Sequence, residues 1–274
     1  MKDLSNENVI HVKKDGVQYI QFKKLLEYKD RIVHAYTIGI DKNYRKVFHE
    51  GENIEMLRNQ SKQNYKNLCN ELNIDYEKLI YSNQNHTDVI KCLEDVKDFE
   101  QENLEVDGLC TNVKGIALST INADCILFIF YDPVKNVIAN CHSGWKGTLQ
   151  RISVKTIEKM QEKYGSNPKD IICCISPSIR KCHFEVDLDV KNLYQNEFKD
   201  IENLDKIIEE NIKKEKWNID TVLINKILLK RLGMLEENII DSNLCSVCNQ
   251  EQIHSFRAHK EKSGRETAII GLKK

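Results

Sequence analysis

Cys125 and His142 lie on the two arms of a hairpin pattern, where a thiol and an imidazole can be brought face to face. The arms are apolar runs rich in Ile, Val, Phe and Tyr, within GIALSTINADCILFIFYDPVKNVIANCHSGWKG at residues 115 to 147. Asp132-Pro133-Val134-Lys135-Asn136 supplies the turn signal. If Tyr131 pairs with Asn136 around a four-residue loop, Cys125 falls opposite His142, with Cβ atoms ~5 Å apart. That spacing suits two ligands of one metal, or a nucleophilic thiol and its base. The bland alternative is an apolar hairpin that happens to carry both residues.

His86 is a third candidate, in a polar stretch between two apolar runs. A lone His there is more often a surface or capping group than a ligand. Zinc accepts Cys sulfur at ~2.3 Å and His nitrogen at ~2.0–2.1 Å, and three protein ligands leave a fourth position for water or substrate. Such a cation would lower the pKa of Cys125. Asp124 falls on the opposite face of an ideal strand, so its expected part in catalysis is to orient a neighbour.

Other chemistry is thinner. Cys245-Ser-Val-Cys248 reads as half of a structural zinc site or as a redox pair, but no second CxxC completes it. Adjacent Cys173 and Cys174 would point to opposite faces of a strand. There is no GxSxG elbow, no GxGxxG and no P-loop. Residues 94 to 107 are acidic without ligand spacing and read as a solvated loop. Ser143-Gly144-Trp145-Lys146-Gly147, entering a helix, reads as an anion site to which Lys146 adds charge.

The surrounding elements follow from pattern. Residues 8–22 read as a hairpin turning at Lys14-Asp15-Gly16, and 31–39 and 78–81 as strands. Residues 51–74 read as a helix with Leu57, Tyr65, Leu68 and Leu72 as its apolar stripe. A helix is predicted from an N-cap at Thr148 to about Tyr164, with Gly165 as C-cap. Residues 170–175 read as a buried strand, 187–216 as helical, and 218–232 as an amphipathic helix ended by Gly233. Residues 253–260 and 265–272 read as two strands.

Composition narrows the class. The chain has 274 residues, 41 basic and 42 acidic side chains, and 41% hydrophobic content. Near-neutral charge recommends neither nucleic acid nor membrane as a partner. No signal peptide or membrane span is visible, so a cytoplasmic protein is expected, with its ten cysteines reduced.

QNHTD around His86, NADC around Cys125 and HSGWKG around His142 together resemble the three signatures of the YfiH-like, or laccase-domain, family. DGLCT at 107–111, ISPSIRKCHFEV at 175–186, NLCSVC at 243–248 and SFRAHKEKSGRETAIIGL at 255–272 extend the resemblance. It implies one α+β domain over 1–274, with mixed β-sheets flanked by helices. It also implies zinc, with copper the lesser choice, held by His86, Cys125 and His142. The implied activity is purine nucleoside phosphorylase, on adenosine, inosine, guanosine or methylthioadenosine, together with adenosine deaminase. The implied partners are a purine nucleoside and phosphate, in a monomer or homodimer. By charge and motif position, Lys146, Arg257 and Arg265 are the candidate phosphate or ribose contacts.

The chain departs from the family pattern in three places. Lys146 replaces an Arg and lacks its bidentate fork. TIGIDKNYR replaces a Gly-paired loop, with Arg45 as the possible substitute. Cys141 stands where a small residue is usual. Three rival readings are a Cys–His amide hydrolase acting in cell-wall precursor editing, a copper-dependent polyphenol oxidase, and a metal-containing interaction module.

Overall fold

The computed structural model describes residues 2–45, 53–94, 105–212 and 215–274. Strand Ile126–Asp132 shows the logic of the fold. Every one of its residues is buried. Leu127, Ile129 and Tyr131 point one way, into a core shared with Ile20, Phe22, Tyr36, Leu118 and Ile270. Ile126, Phe128 and Phe130 point the other way, against Ile152, Ile157 and Met160. A strand covered on both faces reads as a continuous apolar run, and each such side chain contributes about 1.5–3 kcal/mol of burial.

Two six-stranded mixed sheets result. One runs Val9–Lys14, Val17–Phe22, Ile32–Thr37, Glu266–Leu272, Ala117–Asn122, Leu79–Tyr81. The other runs Ile239–Asp241, Ile172–Ile175, Ile126–Asp132, Val137–Ser143, Gly108–Thr111, Ile90–Leu93. Helix Ile54–Leu72 covers the outer face of the first through Tyr65, Leu68, Cys69 and Leu72. Helices Ile152–Tyr164 and Thr221–Arg231 cover the outer face of the second. A three-stranded sheet, Glu185–Val186, Lys216–Ile219 and Ile208–Asn211, carries a fourth core. The expected α+β class with mixed sheets and flanking helices is what the chain adopts. Among the described residues no helix is long and apolar enough to cross a membrane.

The central hairpin differs from its predicted register by two residues. Asp132 pairs with Val137, so Leu127 lies opposite His142. The reason is the turn: the Asp132 carboxylate accepts from the amides of Val134 and Lys135 at 2.8 and 2.9 Å, and Asn136 takes a positive φ of 55°. A slip of one residue would have turned Cys125 to the wrong face; a slip of two keeps the face. Cys125 and His142 become diagonal neighbours rather than an opposed pair.

Other differences have local causes. The helix expected from Thr148 is two, Trp145–Leu149 and Ile152–Tyr164, separated by Arg151 at φ 59°. Thr148 lies inside the first, and its hydroxyl meets Ser143 Oγ at 3.1 Å. Gly165 caps the second at φ 67°, as predicted. Beyond helices Leu188–Glu197 and Leu204–Ile207, Ile208–Asn211 and Lys216–Ile219 pair as strands, because Ile208 and Ile219 close the fourth core, and the helix expected from 218 begins at Thr221. Residues 253–260 hold the short helix Phe256–His259, capped by Ser255 Oγ accepting from Ala258 N, and no strand. Cys92 and Cys110 lie directly opposite on neighbouring parallel strands and form a disulfide, against the expectation of reduced thiols. Much of the acidic 94–107 stretch, residues 95–104, lies outside the described residues; Asp107 is anything but solvated, at 0% exposure.

Candidate metal centre

Three segments converge on one point. His86 lies between strands Leu79–Tyr81 and Ile90–Leu93, Cys125 just before strand Ile126–Asp132, and His142 near the end of Val137–Ser143. Their ligand atoms all lie within 4.8 Å of one another. The His86 and His142 rings meet edge to face, centroids 4.8 Å apart at 88°.

Backbone strain helps place two of the three. His86 itself has φ 58°, and Asp124 before Cys125 has φ 82°. Left-handed backbone at non-glycine residues persists only where surroundings hold it. Asp124 is held on three sides: Ser246 Oγ donates to Oδ1 at 2.5 Å, Arg257 N to Oδ2 at 2.6 Å, and Ile179 N to its carbonyl at 2.8 Å. Asn122 Nδ2 donates to the Cys125 carbonyl at 2.5 Å. The Asp124 carboxylate is thus spent on backbone and hydroxyl donors and is not among the converging ligand atoms.

Asp107 organises the rest, and sequence reading passed over it. Its carboxylate accepts from the amides of Asn85, His86 and Thr87 at 3.1, 3.2 and 2.7 Å, and from Thr87 Oγ1 at 2.8 Å. The same group meets His142 Nδ1 at 2.7 Å. One buried carboxylate therefore fixes both the His86 loop and the His142 ring. With Nδ1 engaged, Nε2 is the nitrogen of His142 left for a ligand. Burial works to raise the Asp107 pKa, but His142 and Thr87 outweigh it and hold the carboxyl below its usual value. The only signal in the sequence was the DGLCT run entering a strand.

The electrostatics favour a thiolate. Burial alone would raise the Cys125 thiol, yet His142 and His86 draw it down to about 6. Burial would likewise lower His142, but Cys125 and Asp107 push it up to about 9. A thiolate beside an imidazole whose far nitrogen is held by a carboxylate is a soft donor set that suits a divalent cation.

Gly144 makes room for this cluster. A Cβ there would lie 2.7 Å from His86 Cδ2 and 3.3 Å from Cys125 Sγ. Gly144→Ala is expected to push the His86 ring out and lower metal affinity about 10- to 100-fold, the range for disturbing ligand support. Since φ is an ordinary −70°, the fold should survive; metal titration against an unchanged circular dichroism melt checks this.

A small cavity of about 80 Å³ adjoins Cys125, with Gly144, Trp145, Phe184, Thr221 and Arg257 in its wall. Of the predicted anion contacts, Arg257 lines this cavity, but its guanidinium already donates to the carbonyls of His183 and Glu185 at 2.9 and 3.1 Å. Arg265 is half buried, and burial followed by the neighbouring Arg45 charge lowers its pKa. Lys146 is exposed, its Nζ 5.5 Å from the Trp145 ring centroid.

A second group of donors forms elsewhere. Cys182, His183, Cys245 and Cys248 also converge within 4.8 Å. The CxxC read as half a site has its other half in a Cys-His pair.

Comparison with known proteins places the chain as a whole. The family model described as multi-copper polyphenol oxidoreductase laccase matches residues 43–273. The chain is 28% identical over 217 residues to "Purine nucleoside phosphorylase YlmD" of Bacillus subtilis, covering 77% of each chain. It is 29% identical over 204 residues to "Adenosine deaminase RL5" of an unknown prokaryote, covering 72% of this chain and 76% of that one. Against the mouse protein "Purine nucleoside phosphorylase LACC1" it is 31% identical over 171 residues, 61% of this chain but only 38% of that longer protein. The crystal structure of "hypothetical protein YfiH" from Bacillus licheniformis superposes with a TM-score of 0.80 at 26% identity, covering 93% and 96% of the two chains. By sequence and by fold, this chain belongs to the multi-copper polyphenol oxidoreductase laccase family, the YfiH-like proteins.

Proposed function

We propose that this protein is a zinc-dependent purine nucleoside phosphorylase with adenosine deaminase activity. The observation that carries the proposal is the convergence of His86, Cys125 and His142 on one point, with Asp107 locking two of them. The names of relatives supply the substrate class.

The donor set fits the metal: one thiolate and two imidazoles, with a coordination position to spare. Bound there, zinc would act as a Lewis acid and activate water or polarise substrate. His86, Cys125 and His142 would hold it, and Asp107 would keep His142 in the tautomer that presents Nε2.

In phosphorolysis a phosphate oxygen bonds to C1′ of the nucleoside as the C1′–N bond breaks, giving free purine and ribose 1-phosphate. The cations around the site support phosphate binding. Burial and then the neighbouring Arg45 charge lower the Arg265 pKa, and the Cys125 and Asp124 charges act on Arg265 in the opposite sense. Arg257 borders the cavity at Cys125, and Lys146 follows the ring of Trp145. Half-buried Trp145 and Phe184 offer flat apolar surface for a purine.

The test is product analysis on adenosine, with and without phosphate, using protein of measured metal content. Adenine should appear only with phosphate, and inosine in both cases. Metal-replete protein that yields neither overturns the proposal. The depressed Cys125 pKa and the adjacent His142 also favour a second reading, a Cys–His amide hydrolase. Alkylation separates the two: a zinc-bound thiolate is protected until chelator is added, whereas a free nucleophile reacts at once. A strong thiolate–copper band in the visible spectrum would instead favour the polyphenol oxidase reading.

Metal retention should depend on acid with a defined sign. The Cys125 pKa is depressed to about 6, so the thiolate ligand persists above that value and is lost as pH falls through it. Affinity should then drop about tenfold for each pH unit and each proton taken up. Because His142 is raised to about 9, binding near pH 7 should release a proton. Calorimetry in buffers of different ionisation enthalpy reads that release directly.

A further inference from the structure

Cys182 and His183 lie just ahead of strand Glu185–Val186; Cys245, in an isolated bridge, and Cys248, in a turn, follow strand Ile239–Asp241. The separation between the pairs is 63 residues from Cys182 to Cys245. Yet Cys182 Sγ is 3.7 Å from Cys245 Sγ and 3.9 Å from Cys248 Sγ. His183 Nδ1 is 3.2 Å from Cys182 Sγ and 3.6 Å from both Cys245 Sγ and Cys248 Sγ.

These distances can be compared with a known polyhedron. A tetrahedral ion bound to sulfur at ~2.3 Å and nitrogen at ~2.0–2.1 Å has S···S edges of ~3.8 Å and S···N edges of ~3.6 Å. Four edges of the cluster lie on those values within about 0.1 Å, and the fifth, between the adjacent residues Cys182 and His183, is shorter at 3.2 Å. A disulfide would need sulfurs at ~2.05 Å, so Cys182 is bonded to neither of its sulfur neighbours. Packing of small apolar thiols is also a poor account, since Cys182 and Cys248 are exposed.

We propose that Cys182, His183, Cys245 and Cys248 form a closed tetrahedral site for a divalent cation of thiolate preference, zinc foremost, separate from the centre at His86, Cys125 and His142. With four protein ligands and no open position, this site is structural. Its place in the chain explains the need. Residues 245–253 contain turns and an isolated bridge, Ser178 to Cys245, but no helix or strand. A cation there substitutes for a ladder. What it pins also matters: Ser246, next to Cys245, donates to Asp124, and the His183 and Glu185 carbonyls hold Arg257. The site therefore fastens together the two segments that hold the residue before Cys125.

The test is metal stoichiometry and spectroscopy on the full chain, with no catalytic assay. Wild-type protein should carry two equivalents of zinc. Cys125→Ala, which removes the sole thiol of the other centre, should keep one. Loaded with cobalt(II), that variant should show strong thiolate-to-cobalt charge transfer and tetrahedral d–d bands, which can arise only from the three-cysteine cluster. Cys182→Ser/Cys248→Ser should lose this signal and one equivalent of zinc while keeping the other. If the double variant does not fold, Cys125→Ala alone decides. A Cys125→Ala protein without a thiolate–cobalt band, or with Cys182 and Cys248 alkylated equally fast before and after chelation, overturns the proposal.

Discussion

Cys125→Ser is expected to cut activity on adenosine at least ~10³-fold, which corresponds to ~4 kcal/mol of barrier. The two side chains are close in size, so the loss is chemical. Cys125 is a thiolate near neutral pH because His142 and His86 bring its pKa to about 6. A serine hydroxyl stays protonated there and is a poor ligand for a soft cation. The variant should bind metal weakly at the centre, with zinc falling by one equivalent while the melting transition changes little. Wild-type turnover in a protein that has lost that equivalent would remove the metal from the mechanism.

Asp107→Ala should have the largest effect of any substitution outside the three proposed ligands. Asp107 is fully buried and serves the amides of residues 85, 86 and 87, the Thr87 hydroxyl and His142 Nδ1. Removing it leaves the buried His142 Nδ1 unpaired, at about 1–3 kcal/mol, and frees the part-buried donors of residues 85–87, which water can reach, at less. It also leaves a raised-pKa imidazole without its charge partner, a class of change that costs about 3–5 kcal/mol. Stability should fall by that order, read from denaturant midpoints at unchanged m-value. Asp107→Asn separates structure from chemistry. It keeps the size and one oxygen, but its NH2 faces donors on the side where Oδ1 or Oδ2 was. Metal affinity should fall about 10- to 100-fold with a smaller loss of stability. If Asp107→Asn binds metal as tightly as wild type, the carboxylate does not orient the ligands.

Much of this was legible from local pattern. The apolar runs around 126–131 and 137–141 gave two strands, and the two-residue period put Cys125 and His142 on one face. That face survived a register error, because the slip was even. The KDG turn, the helix over Ile54–Leu72 and the Gly165 cap likewise follow from residue types acting on their immediate neighbours. Local rules failed where a tertiary partner outweighed propensity. Ile208–Asn211 and Lys216–Ile219 paired into strands because Ile208 and Ile219 had a core to close. Asp107 looked like one more acid in a solvated run.

The sequence by itself determined the donor types of the candidate centre, the faces they share and the family they mark. Register, the left-handed backbone at His86 and Asp124, the clasp of Asp107 on His142 and the meeting of Cys182 and His183 with Cys245 and Cys248 were decided only by the tertiary structure. The physical reason is range. Periodicity and turn chemistry act over a few residues, whereas each of these contacts closes a loop of many residues, and its entropy cost is offset only when whole sheets and helices have already packed.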